Sequence, residues 1–98
     1  MRLRYTADAL AHLQSIFAFI DERNPAAARR VIADIRAAAE RLRGFPELGR
    51  SGQWRGTREW VVQGSPYILV YQVGPQVDEI VILGVFHGAQ DRPERPAD

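Results

Sequence analysis

The run Ile80-Val81-Ile82-Leu83-Gly84-Val85-Phe86 limits the possible folds of this chain more than any other stretch. An alternating strand hides one face, whereas an unbroken apolar run hides both. It therefore reads as a strand in the interior of a sheet. The run stops abruptly at His87-Gly88-Ala89-Gln90-Asp91. A polar side chain at the mouth of a central strand is held by rigid scaffold and still reaches solvent, which suits a working residue. His87 is thus a candidate functional group. The alternative is that it only caps the strand and bonds the following loop.

The elements before this run supply what must cover it. Arg2-Leu3-Arg4-Tyr5 alternates polar and apolar, as a short half-buried strand does. Thr6 suits a helix N-cap, with Asp8 early enough to favour the helix dipole. Leu10, Leu13, Phe17 and Ile20, with Ile16 beside them, recur at helical spacing, and His12 falls off that stripe. Phe19 also lies off it. Asn24-Pro25 ends this helix and starts the next. Ala28, Val31, Ile32, Ile35, Ala39 and Leu42 form the second apolar face, and Gly44 with Pro46 stops it. So short a connection predicts an antiparallel helix hairpin.

Phe45 to Gly56 reads as a loop. Thr57–Val62, Tyr67–Val73 and a run from near Val77 to Phe86 read as three strands joined by turns at Gly64-Ser65-Pro66 and Gly74-Pro75-Gln76. The order is β-α-α-β-β-β. This predicts an α+β fold, with an N-terminal strand and an antiparallel helix hairpin packed on a mainly antiparallel four-stranded sheet. The sequence leaves open where the first strand joins. Residues 1–92 are expected to form one domain and 93–98, polar and proline-rich, a flexible tail.

Composition narrows the function. Without cysteine, and with His12 and His87 alone as histidines, neither a disulfide framework nor a zinc site is expected. No cofactor motif is present: there is no phosphate loop and no nucleophile elbow. No apolar run reaches the length of about 20 residues needed to span a membrane, and no signal-peptide pattern opens the chain. The expected location is the cytoplasm, with no membrane partner. All 13 basic residues are arginine, and the net charge is only +1. Between Arg41 and Arg58 lie five arginines and one acid, Glu47, a possible anion-facing patch. A metal-independent ribonuclease would need a base, an acid and cations for the phosphorane charge. Glu47 and His87 could move protons, with Arg50, Arg55 or Arg58 holding charge.

Several phrases, in order, resemble the RelE/ParE superfamily of type II toxin–antitoxin toxins. They are the opening strand with the Thr6–Leu10 helix start, then Phe45-Pro46-Glu47-Leu48-Gly49-Arg50, then Gly56-Thr57-Arg58-Glu59. Tyr67-Ile68-Leu69-Val70-Tyr71 follows, and the ending is Val85-Phe86-His87-Gly88-Ala89-Gln90. The resemblance spans about residues 1–92 and implies a growth-inhibiting toxin neutralised by a small antitoxin in a hetero-oligomer. RelE-like members cut messenger RNA on the ribosome, and ParE-like members poison DNA gyrase. Ribonuclease members carry lysines and a tyrosine near the C-terminus. Here lysine is absent, no tyrosine follows Tyr71, and Gly88 follows the histidine.

The resemblance therefore implies a ParE-like toxin with a ParD-like antitoxin and DNA gyrase as target. The alternatives are a ribosome-dependent endoribonuclease using Glu47, Arg58 and His87, and an inactive interaction module. Arg50, Arg55, Arg58, His87 and Gln90 are the candidate target contacts. Phe19, Arg29, Arg30 and Arg36 are the candidate antitoxin contacts. Trp54 could stack on a partner, whereas Trp60, Tyr67 and Tyr71 read as packing residues.

Overall fold

A computed structural model describes residues 1–74, 78–92 and 94–98. Its elements are β1 (Arg2–Tyr5), α1 (Ala7–Asp21), α2 (Pro25–Gly44), β2 (Arg50–Ser51), β3 (Arg58–Val61), β4 (Tyr67–Val73) and β5 (Glu79–His87). The sheet runs β1-β5-β4-β3-β2, antiparallel except that β1 lies parallel to β5. The α+β class and the helix hairpin are as expected. The strand count is not. Among the described residues five strands form, because Arg50 and Ser51, inside the expected loop, pair with Glu59 and Arg58. The expected turn at Pro75-Gln76 and the strand start near Val77 lie outside the described residues.

β5 is the interior strand that its composition demands. Residues Ile80 through Phe86 are all buried, with β1 on one side and β4 on the other. Its two faces feed different clusters. Ile80, Ile82 and Val85 join Leu13, Ile35, Ala39, Leu42, Leu69 and Tyr71 beneath the helices. Val81, Leu83 and Phe86 join Val70 on the opposite face, against Trp54. The β4–β5 register pairs Val70 with Gly84 but Tyr71 with Ile82, which leaves Leu83 as the extra residue of a bulge.

The start of α1 is fastened to β5. The Thr6 hydroxyl accepts the Ala9 N–H at 3.1 Å and donates to the Leu83 carbonyl at 3.2 Å. β1 ends opposite Ile82, so past that point α1 serves the edge of β5. There His12 Nδ1 accepts the Val85 N–H at 3.1 Å, and its ring lies 4.9 Å from that of Phe86. Gly84 permits this approach, because a Cβ there would sit 3.1 Å from the His12 ring and 2.7 Å from Phe86.

The helical phase of α1 therefore differs from the one expected. Ala9 and Leu13 are buried and His12 is half-buried, while Leu10 and Phe17 are 42% and 37% exposed. Small Ala9 lets the helix lie close to the sheet, and that contact outweighs the larger residues of the apolar stripe. α2 keeps its expected face, with Ala28, Ile35, Ala39 and Leu42 buried. Residues 94–98 form no helix or strand. They bond to the sheet and to the start of α1: Arg95 donates to Gln72, the Ala97 N–H to Asp8, and Asp98 pairs with Arg4 at 3.7 Å.

Burial lowers the His12 pKa, against the opposing charge of Asp8. Protonation would also turn Nδ1 from acceptor to donor opposite the Val85 N–H. The unfolded chain then binds this proton more readily than the folded one. Stability should be complete above the ordinary imidazole value of about 6.5 and fall as pH drops through it. Denaturant titrations across that range should show the loss, and His12→Gln should flatten it.

Candidate functional site

The candidate residues separate into two groups at opposite ends of β4. Tyr67 pairs with His87, and Tyr71 pairs with Arg58. Four residues of strand put these ends about 13 Å apart along the sheet. Glu47 and Arg58 come together at one end, and His87 and Gln90 at the other.

At the first end Tyr71 organises the loop after α2. Its buried hydroxyl donates to the Pro46 carbonyl at 2.7 Å and accepts the Gly49 N–H at 2.9 Å. Burial raises its pKa, with the Gly49 bond and Arg58 opposing. Gly49 is needed there, since a Cβ would lie 2.7 Å from the Tyr71 ring. The loop in turn presents carbonyls to Arg58, whose Nη1 donates to Gly49 at 2.7 Å and more weakly to Glu47 at 3.4 Å. Arg58 is thus held by backbone oxygens, and the Glu47 carboxylate stays exposed. Arg55 and Arg58 share a cavity of about 480 Å³ with Trp54.

Glu59 is the acid that the sequence did not single out. It is 5% exposed. The Gln53 N–H donates to Oε2 at 2.9 Å, and Arg50 lies 3.6 Å from Oε1. Arg92 Nη1 lies 3.2 Å from Oε2 without hydrogen-bond alignment. The Arg92 guanidinium also sits 5.8 Å from the Trp54 ring and 5.5 Å from that of Phe86. Burial alone would raise the Glu59 carboxyl. The Gln53 bond, Arg92 and Arg50 together outweigh it and hold the carboxyl below its usual range.

At the second end His87 is exposed and fixed by its own loop. Nδ1 accepts the Ala89 N–H at 3.1 Å, the His87 N–H reaches Gln90 Oε1 at 3.1 Å, and the Gln90 N–H returns to the His87 carbonyl at 2.9 Å. With Nδ1 accepting, the proton of the neutral ring belongs to Nε2. The ring stands edge-on to Tyr67 at 5.7 Å. His87, Gln90 and Tyr67 share a hollow of about 260 Å³ with Ile16, Val85 and Phe19. Phe19, 63% exposed, carries Arg23 over its ring. A residue taken as a partner contact therefore lines the same hollow as two taken as target contacts.

Arg29 and Arg30 are exposed on α2. Arg36, also on α2, lies over the Tyr5 ring at 5.2 Å. Among the described residues, no group of three His, Asp or Glu side chains could hold a metal ion. No helix there is long and apolar enough to cross a membrane. Trp60, expected to serve packing, is half-buried and packs against the main core while bordering two surface hollows.

The family model for the ParE toxin of the type II toxin–antitoxin system parDE matches residues 3–92. The chain belongs to the ParE toxin family. It is 40% identical over 93 residues to a Sinorhizobium fredii protein named "Putative toxin Y4kP", covering 95% of this chain and 94% of that one. Among solved structures, a chromosomal ParDE toxin–antitoxin system from P. aeruginosa matches with a TM-score of 0.80 at 24% identity, covering 89% of this chain and 95% of that one. The RelBE2 toxin–antitoxin complex from Mycobacterium tuberculosis matches at 0.65, also 24% identical, covering 88% and 95%. These two likenesses speak to the fold.

Two measurements check the first end of this ParE-family chain. Tyr71→Phe keeps the ring but leaves the Gly49 N–H and the Pro46 carbonyl without their partner. It should lower the unfolding free energy by about 1–3 kcal/mol in denaturant titration. Because the Glu59 pKa is depressed, its contribution is present above the ordinary glutamate value of about 4.3 and lost as pH falls below it. Glu59→Gln should flatten that acid limb.

Proposed function

We propose that this chain is the toxin of a type II toxin–antitoxin pair that arrests growth by binding DNA gyrase. A ParD-like antitoxin would hold it inactive in a hetero-oligomer in the cytoplasm. The ParE family match over residues 3–92 carries this reading. The separation of Glu47 and Arg58 from His87 favours action by binding over general acid–base cleavage of RNA.

In this reading Arg50, Arg55 and Arg58 at the first end and His87 and Gln90 at the second all meet the target. The antitoxin covers the α1–α2 surface around Phe19, Arg29 and Arg30. Phe19, His87 and Gln90 line one hollow, so a partner seated on Phe19 also closes off the other two. Neutralisation then needs no change in the toxin's own fold.

Purified chain added to gyrase should suppress supercoiling of relaxed plasmid, and its genomic neighbour should restore it. Arg55→Glu with Arg58→Glu should weaken suppression by at least about tenfold, or 1.4 kcal/mol. Intact supercoiling together with messenger cleavage in translating cells would overturn the proposal in favour of a ribosome-dependent nuclease.

A further inference from the structure

Val81 is almost fully buried on the face of β5 away from the helices, yet its neighbours across the sheet are polar. Its register partners are Arg4 on β1 and Gln72 on β4. Side chains paired across a ladder stand on the same face. Residues 95–98 close the gap between these two. Asp98 accepts from Gln72 Nε2 at 3.1 Å and pairs with Arg4 at 3.7 Å. Its carboxylate therefore joins the two strands over Val81. Arg95 donates to Gln72 Oε1 at 3.0 Å, so one segment engages both ends of that carboxamide. Pro96 is buried, and the Ala97 N–H reaches Asp8 of α1 at 2.9 Å.

These attachments differ in strength from the one at Arg92. The Arg92 side chain is mostly buried, against Glu59 and the Phe86 ring, and its carbonyl accepts from Gln53 at 2.7 Å. Salt screens such a buried pair little. Arg4 and Asp98 are each about half exposed, and exposed pairs hold weakly and are screened. Residues 95–98 have no helix or strand of their own. A segment with few buried groups opens well before the domain unfolds. We infer that residues 95–98 are a charge-latched lid, which opens while Arg92 stays in place and uncovers the apolar cluster of Val81, Val70 and Leu83.

The lid links distant elements. It touches β1 through Arg4, β4 through Gln72 and α1 through Asp8. Arg95 also donates weakly to the Arg55 carbonyl at 3.4 Å. Opening therefore frees the backbone beside Arg55 in the same step that exposes Val81. The inference stands apart from the gyrase reading, since it concerns the opening and not the target.

Hydrogen exchange followed by NMR on the full chain reads the lid directly. At low salt the Ala97 amide should exchange at least about tenfold more slowly than in an unstructured peptide, yet faster than the amides of β5. Raising sodium chloride from about 0.01 to about 1 M shortens the screening length from about 30 to about 3 Å. Ala97 exchange should then quicken by at least about threefold, with the β5 amides unchanged. Asp98→Arg sets like charges together and should raise binding of the dye ANS, while far-ultraviolet circular dichroism stays as in the parent chain. A chain lacking residues 95–98 should show the same rise. Ala97 exchange at the unstructured rate, Ala97 exchange only in step with β5, or no gain in dye binding by the two folded variants would overturn the proposal.

Discussion

Burial of β5 on both faces is the constraint on which everything else hangs. A strand with apolar side chains on both faces cannot be served by a single layer of cover. The helix hairpin covers Ile80, Ile82 and Val85. Val81, Leu83 and Phe86 need something else. Trp54, on the loop after β2, and Arg92, over the Phe86 ring, supply it. α1 then completes β5 where β1 runs out, through Thr6 and His12.

That second layer of cover depends on a buried charge. Glu59 faces away from the helices, opposite Val70, where an isolated carboxylate would be costly. Arg92, arriving from the end of the chain, lies against it and between Trp54 and Phe86. Breaking such a pair leaves an uncompensated charge, so removal of Arg92 alone is more damaging than replacement of both partners by apolar groups. The same carboxylate holds the loop after β2 through Gln53. One ion pair thereby links the far side of the sheet to the arginine-bearing loop.

The placement of the candidate residues follows from strand register. Arg58 and His87 belong to strands on either side of β4, and the register sends them to its two ends. The arginine end presents Arg58, fixed by backbone carbonyls, and Arg50 beside the Glu59 carboxylate. The histidine end presents a ring hollow shared with α1. Glu47 and Arg58 are thereby separated from His87 and Gln90, and Phe19 of α1 lines the same hollow as the latter two.

Local chemistry determined much of this from the sequence alone. Thr6 and Asn24-Pro25 started the helices, the α2 stripe set its buried face, and the apolar run from Ile80 made β5 interior. Family membership was also legible, in the order and spacing of short phrases. Contacts distant in sequence were decided only by the tertiary structure. The placement of β1 parallel to β5 depends on pairing across more than 70 residues, and no periodicity encodes it. The phase of α1 turned on Ala9 and Gly84, whose small size matters only once the sheet lies beneath them. Glu59 looked like one more polar residue in an alternating strand, because its partner Arg92 lies 33 positions further along the chain. Periodicity and capping act within a few residues, whereas charge pairing and close approach act through space.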